Sequence, residues 1–410
     1  MRNMEEDMNS SQTEEVDVLI VGASLGGLRV AEGLRKLGFD GTVKLVGDEA
    51  HLPYDRPPLS KEFLTGDVSG EECCFRDEGQ LNENGIDLET AAAALAVDLD
   101  ASSVLFEDRT VRFSHLVVAT GARARTLPGA AELAGVHTMR TLEDARTIRS
   151  EFVADADVVV VGAGFIGAEV ASSARKLGLQ VTVIEALPNP LCRAVGEGPG
   201  HACADLHTEN GTTLVCGTSV SHLEGNGHVE AVVLDNGDRY EAGLVVAGIG
   251  VQPNIDWLVD SGVPLGNGVS CDEFLCAGSS NVYAVGDVAE WFNPRYGESM
   301  RVEHWTTTVE QAQVVAHNIS NPDAPRECTA IPYFWSDQYG HRIQFFGRTR
   351  DTDIEEFEVG EARYFAMYRR EAELAGVLAI DGTWPLMRLR GMSMQGSVGW
   401  DDAVDVINRT

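Results

Sequence analysis

The feature that most restricts this chain is an apolar strand, a glycine turn and a helix, in that order, written twice. The run Val16-Asp-Val-Leu-Ile-Val21 enters Gly22-Ala-Ser-Leu-Gly-Gly27, and a helix-like stretch over 28–37 and a second strand over 42–46 follow. Farther along, Asp157-Val-Val-Val-Val161, Gly162-Ala-Gly-Phe-Ile-Gly167, a helical 168–177 and Val181-Thr-Val-Ile184 repeat the order. A buried strand that meets such a turn and then a helix opens a βαβ unit. The first glycine allows the bend, the second lets the backbone approach a pyrophosphate, and the third lets the helix pack close to the strand. The helix N-terminus then offers N–H donors and partial positive charge. Gly162, Gly164 and Gly167 meet all three requirements, while the first copy has Gly22 and Gly27 with Ser24 between them. Serine is small, so it narrows the approach without blocking it. A single turn of this kind can be purely structural; two complete copies predict an α/β chain with two Rossmann-like dinucleotide-binding domains. Leu116-Val-Val-Ala-Thr-Gly121 and Leu244-Val-Val-Ala-Gly-Ile-Gly250 close the two halves alike.

The residue that ends the second strand of each unit bears on the nucleotide. Glu185 holds that place in the second unit, where a carboxylate accepts the ribose hydroxyls of NAD and repels the extra phosphate of NADP. This favours NADH. In the first unit the strand ends Val46-Gly47-Asp48, so glycine stands in the acidic position and Asp48 is the expected substitute.

Composition then removes several function classes. A chain of 410 residues, 44% hydrophobic, is long enough for two or three domains with ordinary cores. No apolar run approaches the roughly 18 residues of a membrane span, and the acidic, polar start over 1–15 is unlike a secretion signal. The expectation is a disordered N-terminus over 1–15, no membrane association and a cytoplasmic location. A net charge of −33 argues against nucleic acid, because phosphate binding needs clustered basic residues. The eight cysteines are scattered without CxxC or metal-ligand spacing, so structural thiols and no metal site are expected. Basic residues do gather late, at Arg348, Arg350, Arg369, Arg370, Arg388 and Arg390, which reads as a solvated surface or as a docking patch for an acidic protein. From about Ile331 short apolar and aromatic segments alternate with charged turns, predicting a small sheet-rich third domain.

Five further segments carry a resemblance. Pro53-Tyr-Asp-Arg-Pro-Pro-Leu-Ser-Lys61, Ala119-Thr-Gly-Ala-Arg123, Val285-Gly-Asp287, Glu303-His-Trp305 and Pro332-Tyr-Phe-Trp-Ser-Asp337, in this order on a double dinucleotide framework, resemble the FAD-dependent NADH:ferredoxin reductases. These serve ring-hydroxylating dioxygenases and haem monooxygenases. The resemblance implies a glutathione-reductase-like fold with an FAD-binding domain over 16–125 and 255–330, an NADH-binding domain over 126–254 and a small α+β domain over 331–410. It implies that Gly22, Ser24 and Gly27 line the FAD pyrophosphate, with Asp48 on the adenosine ribose. Arg56, Lys61 and Arg123, beside Thr120 and Gly121, would neutralise phosphate or flank the flavin, and Asp287 would accept from the ribityl chain. NADH would meet Gly162, Gly164, Gly167, Glu185, Arg193 and Gly250. Trp305 and Trp335 would cover the flavin.

Lys61 receives a mechanistic role from the same resemblance: it would sit beside the flavin, paired with Glu169 two places after the last glycine of the NAD motif. A cation there would stabilise the anionic reduced ring. The implied partner is a small iron–sulfur ferredoxin, with Arg348 and Arg350 in the docking patch. Two alternatives stand beside this reading. Related oxidases, peroxidases and disulfide reductases need a cysteine near the flavin, where this chain has Ser60, and serine cannot become a sulfenate. A non-catalytic role like that of apoptosis-inducing-factor-like proteins shares the Lys and Glu arrangement but usually brings extra basic or targeting segments.

Overall fold

The computed structural model describes residues 12–154 and 156–409. They divide into two units. The first holds the described residues up to Asp55 together with Cys74–Arg123 and Pro253–Ala330, and the second holds Arg56–Cys73, Ala124–Gln252 and the chain from Ile331 onward.

In the first unit the strand Gln12–Val21 lies between Val43–Val46 and Arg109–Val118, parallel to both. Ser279–Ala284 adds to the far side of Arg109–Val118, also parallel. Val18, Leu19 and Ile20 are fully buried, as expected for a parallel strand covered on both faces. The helix Leu25–Lys36 packs against the helix Trp305–Ser320 so closely that a Cβ on Gly33 would meet the Ala316 Cβ at 2.8 Å. A second, four-stranded sheet is built from Leu265–Gly266, Gly268–Cys271, Ala289–Asn293 and Glu298–Met300.

The first strand starts earlier than the sequence suggests. Residues 12–15, expected within a disordered N-terminus, pair with Arg109–Arg112. Their acidic side chains are matched by charge: the buried Lys44 ammonium donates to Glu14 at 2.9 Å and to Asp87 at 3.1 Å, and Glu89 lies 3.3 Å away. Residues 1–11 of that expected segment lie outside the described residues.

The second unit contains a five-stranded parallel sheet, in the order Thr213–Cys216, Gln180–Glu185, Asp157–Val161, Leu244–Ala247 and Val136–Thr138. The helix Phe165–Lys176 follows its central strand. A five-stranded antiparallel sheet of Tyr333–Gln338, His341–Gly347, Glu373–Ile380, Tyr364–Arg370 and Asp353–Glu356 carries the helices Thr383–Gln395 and Trp400–Asn408. This tail has a core of its own around Phe365, Leu386 and Trp400. A second cluster joins Phe345, Tyr368 and Leu378 to Leu191, Val195 and Leu206 of the parallel-sheet region, which is why the tail falls in the same unit.

Residues 56–73 also lie in the second unit, although the layout implied by the resemblance keeps them in the first domain. A π-helical turn, Leu59–Phe63, is bonded to the helix Phe165–Lys176, with Ser173 donating its hydroxyl to the Ser60 carbonyl at 2.7 Å, and Lys176 of the same helix pairs with Asp67 at 2.8 Å.

Two outcomes are expected from this packing. Gly167→Ala places a methyl carbon 2.0 Å from the Gly162 carbonyl oxygen and lowers unfolding free energy by about 3 kcal/mol or prevents folding; a urea midpoint equal to that of the parent chain would contradict the packing described. His207 is fully buried, its Nδ1 lies 2.9 Å from the Tyr339 hydroxyl, and burial holds its pKa down at about 4. A depressed folded-state value means that the unfolded chain binds the proton first, so the stabilisation is complete above about pH 6.5 and is lost as pH falls from there towards 4. The stability of His207→Gln is accordingly less sensitive to pH in that window than the parent, by about 2–3 kcal/mol at its acid end.

Candidate functional site

Both glycine turns are dictated by backbone contact. Gly22 has φ +119° and Gly162 has φ +99°, a region that side-chain-bearing residues avoid. A Cβ on Gly22 would sit 2.1 Å from the Ala119 carbonyl oxygen, and one on Gly27 would sit 2.1 Å from that of Gly22. The second turn repeats this with Gly162 against the Gly248 carbonyl oxygen at 2.5 Å. The middle position differs: a Cβ on Gly164 would find nothing nearer than 3.9 Å. No protein atom demands glycine there, and the room it leaves suits a ligand, as does the tolerance of Ser24 in the first turn. Ser24 and Gly164 are the N-caps of the two motif helices, and neither caps by a side chain. No capping side chain of Ser24 or Gly164 competes for the first-turn N–H groups, the donors that a helix N-terminus offers to a phosphate.

Strand register settles which residues correspond at the acidic position. Val21 pairs with Val46 and Val161 with Ile184, so Gly47 and Glu185 are equivalent. The Glu185 carboxylate accepts from the Ala163 N–H at 2.7 Å and from the Leu187 N–H at 2.9 Å, one on each oxygen. Each oxygen keeps a lone pair for a ribose hydroxyl. At Gly47 a Cβ would lie 2.7 Å from the Ala23 Cβ, which excludes a side chain there. Asp48, the next residue, is exposed.

Within the second unit, the π-helical turn and the NAD-motif helix bring Lys61 and Glu169 together, with Lys61 Nζ donating to Glu169 Oε2 at 3.1 Å. The pair is buried, at 13% and 5% side-chain exposure. The Ser60 hydroxyl donates to the same Oε2 at 2.5 Å, and the Ser336 hydroxyl donates to Oε1 at 2.7 Å. Neither serine contact was named from the sequence. Their signal lay in two motifs, Pro-Leu-Ser-Lys and Phe-Trp-Ser-Asp, whose serines stand next to the residues that drew attention. Arg193 is exposed on the short helix Cys192–Val195, and a Cβ on Gly250 would meet nothing within 4 Å. Trp335 is half-buried in the tail sheet, its ring 6.2 Å from that of Tyr333. Arg56 donates to the Arg140 carbonyl at 2.6 Å.

In the first unit, Thr120 and Gly121 are knotted to Asn254: the Thr120 hydroxyl donates to the Asn254 carbonyl at 2.9 Å, and the Asn254 N–H donates to Gly121 O at 3.0 Å. Arg123 donates to the Asn254 side chain at 3.2 Å and pairs with Asp256 at 2.9 Å in an exposed bridge. Asp287 sits in the short 3₁₀ turn Gly286–Val288 after the strand Ser279–Ala284. The Gly286 N–H is held by Gln311 Oε1 at 2.7 Å, and burial keeps His304 down at about 4 against the pull of Asp287. Trp305 Nε1 donates to Asp55 at 2.9 Å. The amide nitrogen of Gln311 and the hydroxyl of Thr307, both almost fully buried, have no protein partner. Buried polar groups are seldom left so, and these two stand on the helix that follows Glu303-His-Trp305. The open middle positions of both turns, the lone pairs of Glu185 and these orphaned donors fit two bound dinucleotides.

Cys203, Cys216, Cys276 and Cys328 are thiols outside any disulfide. Burial pushes Cys203 and Cys328 up to about 12 and Cys216 and Cys276 up to about 11, far from a reactive thiolate at neutral pH. Among the described residues no group of three or more His, Cys, Asp or Glu could hold a metal, and no helix is long and apolar enough to cross a membrane.

Comparison with known proteins agrees with this arrangement. The pyridine nucleotide-disulphide oxidoreductase family matches residues 16–312, and the reductase C-terminal family matches 333–405. Rhodocoxin reductase of Rhodococcus erythropolis is 37% identical over 341 residues, 82% of this chain and 79% of that protein. Rubredoxin-NAD(+) reductase of Ectopseudomonas oleovorans is 35% identical over 339 residues, 82% of this chain and 88% of its own. The fold also matches the crystal structure of a covalent putidaredoxin reductase–putidaredoxin complex, with a TM-score of 0.88, 32% identity and 92% of each chain covered. With both glycine turns in place and more than half of its length matched, this chain belongs to the pyridine nucleotide-disulphide oxidoreductase family.

Proposed function

We propose that this chain is a flavoprotein reductase that draws electrons from NADH through FAD and delivers them to a small iron–sulfur ferredoxin feeding an oxygenase. The observation that carries the reading is the buried pair of Lys61, on the π-helical turn, and Glu169, on the NAD-motif helix, with a serine where thiol-dependent relatives need a cysteine. Relatives named for rhodocoxin and rubredoxin reduction support it. We take the working compartment to be the cytoplasm, where NADH is supplied.

When bound, FAD converts a two-electron donor into a source of single electrons. The protein's part is to bind, orient and set charge. Gly22, Ser24, Gly27 and the helix behind them offer N–H groups to the FAD pyrophosphate, and Gly162, Gly164 and Gly167 do so for NADH. Asp48 takes the adenosine ribose on the FAD side and Glu185 on the NADH side. Thr120, Gly121 and Asp287 contribute at the flavin end, with Arg56 and Arg123 supplying positive charge. Arg193 and Gly250 border NADH. Trp305 and Trp335 shield the ring from water. Lys61 holds a fixed positive charge whose burial is offset by Glu169, since removing one member of such a pair costs roughly 3–5 kcal/mol.

The carrier docks on the basic residues of the tail. Arg350 is exposed, with Asp351 at 3.6 Å, and Arg348 is half-buried. Arg369 is already matched by Glu355 at 3.2 Å and Asp353 at 3.7 Å, so it offers less to a partner.

Lys61→Met retains FAD but is reduced by NADH at least about tenfold more slowly in anaerobic stopped-flow; reduction at the parent rate removes the proposed role of the pair. Glu185→Gln narrows the preference for NADH over NADPH, read as the ratio of kcat/KM for the two, and an unchanged ratio places cofactor choice elsewhere. The partner is tested by bleaching the anaerobic yellow protein with NADH and adding oxidised ferredoxins of several cluster classes. Reoxidation by one class identifies the carrier, and bleaching with no carrier response refutes the carrier reading in favour of an oxidase.

A further inference from the structure

The structure assigns Ser336, with Ser60, the task of positioning the Lys61–Glu169 pair: the two hydroxyls clamp the carboxylate so that Lys61 keeps one direction. This rests on the proposed role of Lys61 beside the flavin and adds the residues that set its aim.

Lys61 reaches only Oε2 of Glu169, and it shares that oxygen with the Ser60 hydroxyl. With nothing on Oε1, the carboxylate could turn about its Cγ–Cδ bond and present either oxygen at varying angles, since the terminal torsion of glutamate is broad. Ser336 removes that freedom by donating to Oε1 at 2.7 Å. The serine is itself directed: its oxygen accepts from Gln338 Nε2 at 3.0 Å, which leaves its own proton for Glu169. Ser336 is fully buried and Gln338 is 1% exposed, so water does not compete for these bonds. The other half of the clamp is equally constrained. Ser60 donates its hydroxyl to Glu169, while its carbonyl accepts from Ser173, one turn farther along the same helix. The NAD-motif helix therefore grips the turn that carries Lys61 at two points, and the tail sheet fixes the far oxygen. Hydrogen bonds to a charged, buried acceptor are the strong kind.

A serine that merely satisfies a buried carboxylate would affect folding; one that aims Lys61 would affect the flavin through Lys61. The experiment uses the FAD-loaded protein and reads the flavin midpoint potential, the limiting rate of anaerobic reduction and the dissociation constant for NADH. In Ser336→Ala the potential becomes more negative and the limiting rate falls about tenfold, with NADH binding unchanged. Ser336→Thr, which keeps the hydroxyl, restores both. Ser60→Ala shifts both in the same direction and provides a second variant should the first fold poorly. In a Lys61→Met background, the further change caused by Ser336→Ala disappears.

The inference is overturned if both alanine variants keep the parent potential and rate, or if the effect of Ser336→Ala persists in full without Lys61. If Lys61→Met alone changes neither quantity, the role proposed for the pair fails and this inference falls with it. If Lys61→Met changes them and the serine variants do not, only the inference fails.

Discussion

A backbone carbonyl pressed against a glycine α-carbon governs both nucleotide-binding turns. Gly27 lies against the Gly22 oxygen, and Gly167 against that of Gly162, with no room for a methyl group in either place. The contact brings each motif helix down onto its strand and points its N-terminus at the strand's carboxyl end, where nucleotides bind in open α/β sheets. The rest follows from it. Once the helix Phe165–Lys176 is seated, Glu169 and Ser173 face the turn at Leu59–Phe63, and the charge pair can form.

The two turns were legible in the sequence because their requirements are local: a glycine with positive φ, a glycine under a carbonyl, an apolar strand before and a helix after. The acidic residue at the strand end was legible for the same reason, and so was its absence at Gly47, which the packing against Ala23 explains. The family resemblance reached Lys61 and Glu169 as a pair. What no local rule supplied was the third-party chemistry around them. Ser60 and Ser336 lie far apart in sequence and meet on one carboxylate, and only the fold brings them there. Gln311 is similar: a mid-helix glutamine carries no signal until its amide oxygen is found on the Gly286 N–H.

The sequence misled where charge was read as disorder. Glu14 and Glu15 look like part of a solvated acidic leader, yet the strand continues through them because Lys44 is buried among carboxylates on the adjoining strands. One of only four lysines is spent there, and another is Lys61. The late arginines cluster in the sequence and have different surroundings in the fold. Arg369 is neutralised by two carboxylates and lies over the Trp400 ring, Arg388 lies over Trp384, and Arg390 lies over Tyr333. The ion pairs offset charge at Arg369, whereas the rings beneath Arg388 and Arg390 hold the guanidinium groups in place and leave their charge intact.

The serine at position 60 has a consequence for how this scaffold diversifies. Its hydroxyl lies against the Glu169 carboxylate in a site closed to water. A thiol in its place would stand between that carboxylate, which holds a proton on sulfur, and the Lys61 ammonium on the same oxygen, which favours the thiolate. The hydrogen bond itself would change more than the local charge: serine always has a proton to give to Glu169, and a thiolate has none. Exchanging oxygen for sulfur at this address would therefore loosen the grip on the carboxylate in the same step that made the atom reactive.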